Sequence, residues 1–293
     1  MRIILKKYRI VFTVLALLIM ITSVPSLFLY LNSIKVSYGF FPFDKNKEKL
    51  FLNDSLLWDT GATGSTIYEE HKDKIHNKIQ FGYHLGFDTF YKMRFHKLYY
   101  LSQFDIGDTL TIHNFSFKII ENILPEEIKQ SGEIGIIGMD VISKANWIID
   151  FDLGKIDIIS KNKTYKTKDQ PQLVFKYKHT KKPKTQLDFS VCQVGKILID
   201  AGFNGELSLL RSDIEKINGK YKPIDTLEMS VYGLYSISPI IQNCYVYDIV
   251  KINNIYFRNI QICESDNRLI GFKFFKRFNK VFLNTKEKEF CFY

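Results

Sequence analysis

An all-β chain built from two related lobes is the fold this sequence predicts, and three observations carry that prediction. Short runs rich in Ile, Val, Phe, Tyr and Thr recur along the chain while Pro is scarce, a bias toward strands over helices. Several segments occur twice, in the same order. Each copy opens on an Asp-x-Gly triplet preceded by three apolar residues.

The first pair matches without gaps: Leu56-Leu57-Trp58-Asp59-Thr60-Gly61-Ala62-Thr63-Gly64 against Ile197-Leu198-Ile199-Asp200-Ala201-Gly202-Phe203-Asn204-Gly205. The second sets Ile136-Ile137-Gly138-Met139-Asp140 against Leu269-Ile270-Gly271-Phe272-Lys273, each leading through a short helix to a terminal strand. A third lies between them, Leu110-Thr111-Ile112-His113-Asn114 against Val250-Lys251-Ile252-Asn253-Asn254. It reads as two hairpins turning at His113-Asn114 and Asn253-Asn254, followed by alternating strands over 115–120 and 255–260. Three matches in one order argue for duplication of a mostly β unit. The expected division is 1–34 for a basic flank and membrane segment, 35–168 for a lobe carrying Asp59, and 169–293 for a lobe carrying Asp200. The Lys-rich stretch 161–184 marks the boundary, with residues 173–177 as a strand bridging the lobes.

At 293 residues and 46% apolar content, the chain has material for a sizeable core. Its net charge of +10 is spread over polar turns, with no Arg-rich helix or zinc-finger pattern, so nucleic acid is not an expected partner. Arg2, Lys6, Lys7 and Arg9 precede an uncharged apolar run over 10–31. That length suffices to cross a bilayer, and the basic flank would keep the terminus in the cytoplasm and the remainder outside. A cleaved signal peptide is the rival, with Ser23-Val24-Pro25-Ser26 as its weak site; the length of the run favours an uncleaved single-pass anchor. Cys192, Cys244, Cys263 and Cys291 all fall in the second half and form no C-x-x-C pair. An oxidising compartment would allow disulfides among them, in a pairing the sequence leaves open.

The chemistry rests on Asp59 and Asp200. An Asp after a buried strand and before Gly presents a carboxylate on a tight turn. Two related lobes would bring the pair face to face, and carboxylates that close share one proton. The ionised member takes a proton from a water while the other polarises a peptide carbonyl. Asp140, Asp150 and Asp152 lack acidic counterparts in the second half and read as surface or capping residues. The histidines lack H-E-x-x-H spacing, and there is no G-x-S-x-G elbow or phosphate loop, which disfavours metalloprotease, serine hydrolase and nucleotide-binding classes.

Asp59-Thr60-Gly61-Ala62 followed by Ile136-Ile137-Gly138 resembles the paired motif of the retropepsin and pepsin families, and residues 136–156 are similar to the closing segment of bacterial retropepsin-like proteases. The resemblance spans roughly 49–293 and is duplicated. It implies a bilobal, pepsin-like (duplicated retropepsin-type) aspartic protease fold preceded by a transmembrane helix. It also implies a peptide or protein substrate, no metal or organic cofactor, and no need for dimerisation. Asp59 and Asp200 would be catalytic, with Thr60, Gly61, Ala62, Ala201, Gly202, Gly138 and Gly271 in support. The family's β-hairpin flap maps to 87–95 and 230–235, with Tyr91, Tyr232 and Gly233 as candidates. Two departures stand out. Ala201 lacks the hydroxyl that would complete a brace between the lobes, and Phe203 replaces a small residue, which predicts a looser second loop. The alternative function is therefore a catalytically weak or inactive homologue that holds an extended peptide without cutting it.

Overall fold

The computed structural model describes residues 33–87, 93–121, 132–163, 165, 167, 169–233 and 238–293. The membrane segment expected over 10–31 lies outside these residues, as does Tyr91. No helix among the described residues is long and apolar enough to cross a membrane.

Three sheets account for the architecture. In the first, strands run in the order Phe51–Leu52, Leu56–Trp58, Gly135–Ile137, Thr66–Tyr68, Leu110–Ile120, Met93–Ile106, Ile79–Phe87. In the third, the order is Lys184–Asp188, Gln193–Ile199, Leu269–Ile270, Leu207–Leu209, Ile255–Glu264, Ile240–Ile252, Asp225–Val231. The strand senses match as well: Leu56–Trp58 lies parallel to Gly135–Ile137, as Gln193–Ile199 does to Leu269–Ile270. Between them, six strands form a shared sheet ordered Leu173–Lys176, Glu289–Phe292, Lys280–Asn284, Asn146–Asp150, Lys155–Ile159, Gly39–Pro42. Its two middle strands pair Trp147 with Leu283 and Asp150 with Lys280. These two pairs exchange under the repeat, so the pseudo-two-fold axis passes between them.

Residues of alternate parity feed different cores. Trp58, Ile67, Phe117 and Ile137 point into the main core, whereas Leu57, Tyr68, Ile120 and Ile136 form a second cluster on the opposite face with Phe51. The main core is continuous through both halves, and Trp58 meets Trp147 of the shared sheet with ring centroids 5.9 Å apart. Below the second lobe, Phe274, Phe278 and Phe292 pack on one another in edge-on and tilted contacts, and Phe290 stacks on Phe292.

The third repeat match is corrected by register. Leu110–Ile120 is one uninterrupted strand, and the chain turns before it, at Gly107 (φ +55°), with Ile106 opposite Leu110. In the second half the turn is at Asn253-Asn254, whose φ values of +46° and +68° suit a two-residue hairpin. Lys118 pairs with Thr66, and Cys263 with Ser208. Leu110 thus corresponds to Ile255 rather than to Val250. The matched segments share a short apolar-x-apolar-x-Asn pattern, but it follows the turn in the first half and precedes it in the second.

Asp150 is a capping residue, as expected, but not a surface one. It is buried, caps the turn at Leu153 and pairs with Lys280 across the shared sheet at 2.8 Å, while Asp152 is exposed. Cys244 and Cys263 sit opposite each other on adjacent strands and are joined by a disulfide; Cys192 and Cys291 are free thiols. The bridge closes a loop whose ends are 19 residues apart in sequence, which sets the scale of its stabilisation. Reduction, or a Cys244→Ala/Cys263→Ala double variant, is expected to lower unfolding free energy by about 2–4 kcal/mol in denaturant titration.

Candidate active site

The two Asp-x-Gly turns meet at the top of the shared core. Each turn follows a strand pinned on both sides. Trp58 N–H donates to Leu50 O at 2.8 Å and Ile199 N–H to Pro183 O at 2.9 Å. Asp59 N–H donates to Ile137 O at 3.0 Å and Asp200 N–H to Ile270 O at 2.8 Å. The apolar-apolar-Gly segments thus hold the aspartates in place from behind. Met139 N–H closes on Ala62 O (2.8 Å), and Phe272 N–H on Phe203 O (2.7 Å).

Each carboxylate folds back on its own turn. Asp59 Oδ1 accepts from Gly61 N–H at 2.7 Å and Ala62 N–H at 3.2 Å. Asp200 Oδ1 accepts from Gly202 N–H at 3.1 Å and Phe203 N–H at 3.2 Å. The carboxyl groups then lie within hydrogen-bond contact of each other. Glycine is required at both turns for a steric reason. A Cβ on Gly202 would lie 2.5–2.7 Å from the Asp59 carboxylate, and a Cβ on Gly61 would collide with that of Asp200. Gly138 is equally confined, since its Cβ would stand 2.8–3.0 Å from the Gly64 backbone and Ala62 O. Gly271 faces the Gly205 carbonyl in the same way.

Thr60 is fully buried and crosses to the other lobe. Its hydroxyl donates to Ile199 O at 2.8 Å and accepts from Ala201 N–H at 3.0 Å. Ala201, also fully buried, offers no hydroxyl in return. The second turn is nevertheless held by the same backbone bonds as the first, and Phe203 is buried with its ring over Gly205 and Gly271. Here the structure corrects the expectation of a looser loop, because the ring fills the space that the missing side chains leave.

Asp140 is a further correction. It is only half-exposed, and its carboxylate accepts from Ser65 N–H (2.9 Å) and Ser65 Oγ (2.8 Å), while Ser65 Oγ accepts from Gly138 N–H (3.1 Å). It ties the helical turn Met139–Ile142 to the Asp59 loop. Lys273 occupies its place in the second lobe and reaches Glu48 instead, at 3.4 Å. Missing an acidic counterpart made Asp140 look peripheral, when the two lobes had solved the same problem differently. Tyr68 and Glu133 were also not foreseen: both are buried and joined by a 2.8 Å bond from the phenol to the carboxylate. Nothing in the local pattern singles them out.

Tyr232 and Gly233 lie at the end of the Asp225–Val231 strand, Tyr232 half-buried and Gly233 buried. The corresponding hairpin of the first lobe pairs Ile79–Phe87 with Met93–Ile106. Two surface hollows, of about 520 and 390 Å³, lie elsewhere: one beside Glu69 and Lys97, the other beside Tyr165 and Tyr293. Neither includes either aspartate.

Burial raises the pKa of Asp59, against the hydrogen bonds it receives. Burial, and then the charge of Asp59, raise that of Asp200 further. The pair therefore keeps a proton well above the usual carboxylate range, titrating as a unit. Such an arrangement supplies a base and an acid side by side.

No protein-family model matches the chain, and no curated protein matches it. Among solved structures it is similar to a retropepsin-like aspartic protease from Rickettsia conorii, with 15% identity, 44% of this chain and 96% of that chain covered, and a TM-score of 0.29. A TM-score that low supports no inference about the site.

Both carboxyls ionise less readily in the folded chain than in the unfolded one. Below the ordinary carboxylate range the two states bind equal protons; above it the folded state holds more, and its stability falls as pH rises toward the folded pKa. Asp200→Asn removes this ionisable group and keeps an acceptor oxygen. Its melting temperature is expected to exceed wild type at pH 7, with the gap closing by pH 4. Thr60→Val leaves a buried carbonyl and amide without their partner and is expected to cost about 1–3 kcal/mol, measured by chemical denaturation.

Proposed function

We propose that this protein is an aspartic endopeptidase of the bilobal, pepsin-like type, hydrolysing peptide bonds with a water activated between Asp59 and Asp200. The observation that carries the proposal is the mutual seating of the two carboxyls, each packed on the other lobe's glycine. One member of the pair, ionised, takes a proton from the water, whose oxygen attacks the peptide carbonyl. The other, protonated, donates to the carbonyl oxygen as it gains charge. The resulting tetrahedral diol collapses as a proton reaches the leaving nitrogen, and no covalent enzyme intermediate forms. The turn amides at Gly61, Ala62, Gly202 and Phe203 orient the carboxylates throughout. Substrate would lie extended across the cleft beneath the two hairpins.

The proposal includes anchoring by the N-terminal apolar segment, with the 35–168 and 169–293 lobes on the extracytoplasmic side. The Cys244–Cys263 bridge supports that placement, since such bonds persist in oxidising compartments. A peptide-binding homologue without turnover is the reading that Ala201 and Phe203 favour; against it, the half-brace from Thr60 already spans both turns and the Phe203 ring packs over Gly205 and Gly271.

Asp59→Asn and Asp200→Asn are each expected to reduce cleavage of an unfolded protein substrate by about 10³-fold or more while circular dichroism stays unchanged. Wild-type turnover should be greatest at acidic to near-neutral pH. Activity in either variant at the wild-type level would discard the assignment.

A further inference from the structure

Starting from Asp59, the register leads across the first sheet to an unusual cation. Leu57 precedes Asp59 by two residues and pairs with Ile136, Ile136 pairs with Thr66, and Thr66 pairs with Lys118. Side chains at paired positions share a face, so Lys118 projects on the same side of the sheet as Leu57 and Ile136. Lys118 is half-buried, and its ammonium makes no hydrogen bond or ion pair with a described residue. Asp140, the acid among the described residues whose charge acts on that ammonium, is already committed to Ser65.

The hairpin above sets two histidines on the same face, and burial and the nearby cations keep them largely neutral, so the charge of this wall is that of Lys118. Lys118 pairs with Leu98, which puts His96 two residues along on that face, and His96 pairs with His84 on the neighbouring strand. Burial, then the charges of Lys118 and Lys181, hold the pKa of His84 down. Burial, then Lys118, His84 and Arg94, bring that of His96 to about 4, against a bond to the Ile119 backbone. Arg94 has an acid within 3.9 Å, Glu121. The second lobe differs at each matching place. Cys263 stands for Lys118, Cys244 for Leu98 and Gln242 for His96, with Met229 opposite Gln242. None of these four side chains carries a charge.

We infer that the cleft has one cationic wall, centred on Lys118 beneath the first hairpin, and one neutral wall, and that it selects peptides carrying Asp or Glu on one side of the scissile bond only. An ammonium partly withdrawn from water without a partner is costly, and a substrate carboxylate relieves that cost. A peptide that presented its acid to the Cys244–Cys263 wall would gain nothing, so the asymmetry also sets the direction in which substrate binds. Three strand spacings separate Lys118 from the strand that leads into Asp59, about 14 Å. The acidic side chain therefore falls within about four residues of the cut. This deepens the peptidase proposal and depends on it for the cleavage readout alone.

The test uses fluorogenic peptides in which each of the four positions on either side of the cut is set in turn to Glu, Gln or Lys. Wild type is expected to prefer Glu over Gln by about tenfold in kcat/KM at one position. Lys118→Met should abolish the preference, and Lys118→Glu should shift it to Lys. The same peptides are titrated against the Asp200→Asn variant by fluorescence polarisation, with and without the Lys118 changes. Binding that favours Glu, without cleavage by wild type, would retain the cationic wall and remove the peptidase. An equal response to Glu and Gln, a Glu preference unaltered by Lys118→Glu, or no peptide binding at all would overturn the inference.

Discussion

Two carboxyl groups pressed together across a lobe interface are the constraint to which the rest of this molecule answers. Like charges at that separation repel, and burial strips away the water that would screen them. The fold must therefore hold them by force of packing and supply a proton to share. It does so with glycines at 61 and 202, where any side chain would strike the opposite carboxylate, and with turn amides aimed at one oxygen of each aspartate. The strain of the contact is carried by rigid neighbours: the Asp59 and Asp200 amides are bonded to the strands before Gly138 and Gly271, and the shared sheet fixes one half against the other.

Duplication supplies the symmetry, yet the two copies hold their loops by different chemistry. The first uses polar contacts, with Asp140, Ser65 and the Gly138 amide in a chain. The second uses an aromatic ring, Phe203 laid over two glycines. Between the lobes Thr60 acts alone, bonding to the backbone on both sides of Asp200. The backbone hydrogen bonds around the turns are conserved in kind across the repeat, while the side-chain solutions are not. A single chain carrying both halves has this freedom, because each half needs only to complement the other. The same divergence sets Lys118 in the first half where the second has a disulfide cysteine, Cys263.

Much of this was legible in the sequence. Asp-x-Gly after three apolar residues, found twice, announced both the strands and the turns, because local steric rules bind Gly to tight turns and apolar runs to buried strands. The hairpin match failed because the same short apolar-x-apolar pattern occurs on both sides of a turn, so only pairing with a neighbouring strand shows which strands correspond. Asp140 was misjudged for a related reason. Comparing repeats detects residues that both halves keep, and it is blind to one half's private solution.

The sequence by itself determined the class of fold, the duplication and the two acidic turns, since each follows from short-range sterics and the alternation of apolar residues. Tertiary structure alone decided that the carboxyls touch, that Thr60 bridges while Phe203 fills, that Cys244 pairs with Cys263, and that Lys118 meets no acid or acceptor among the described residues. Each of these joins residues tens to more than a hundred positions apart or depends on register, and no local preference encodes which distant strand a residue will face.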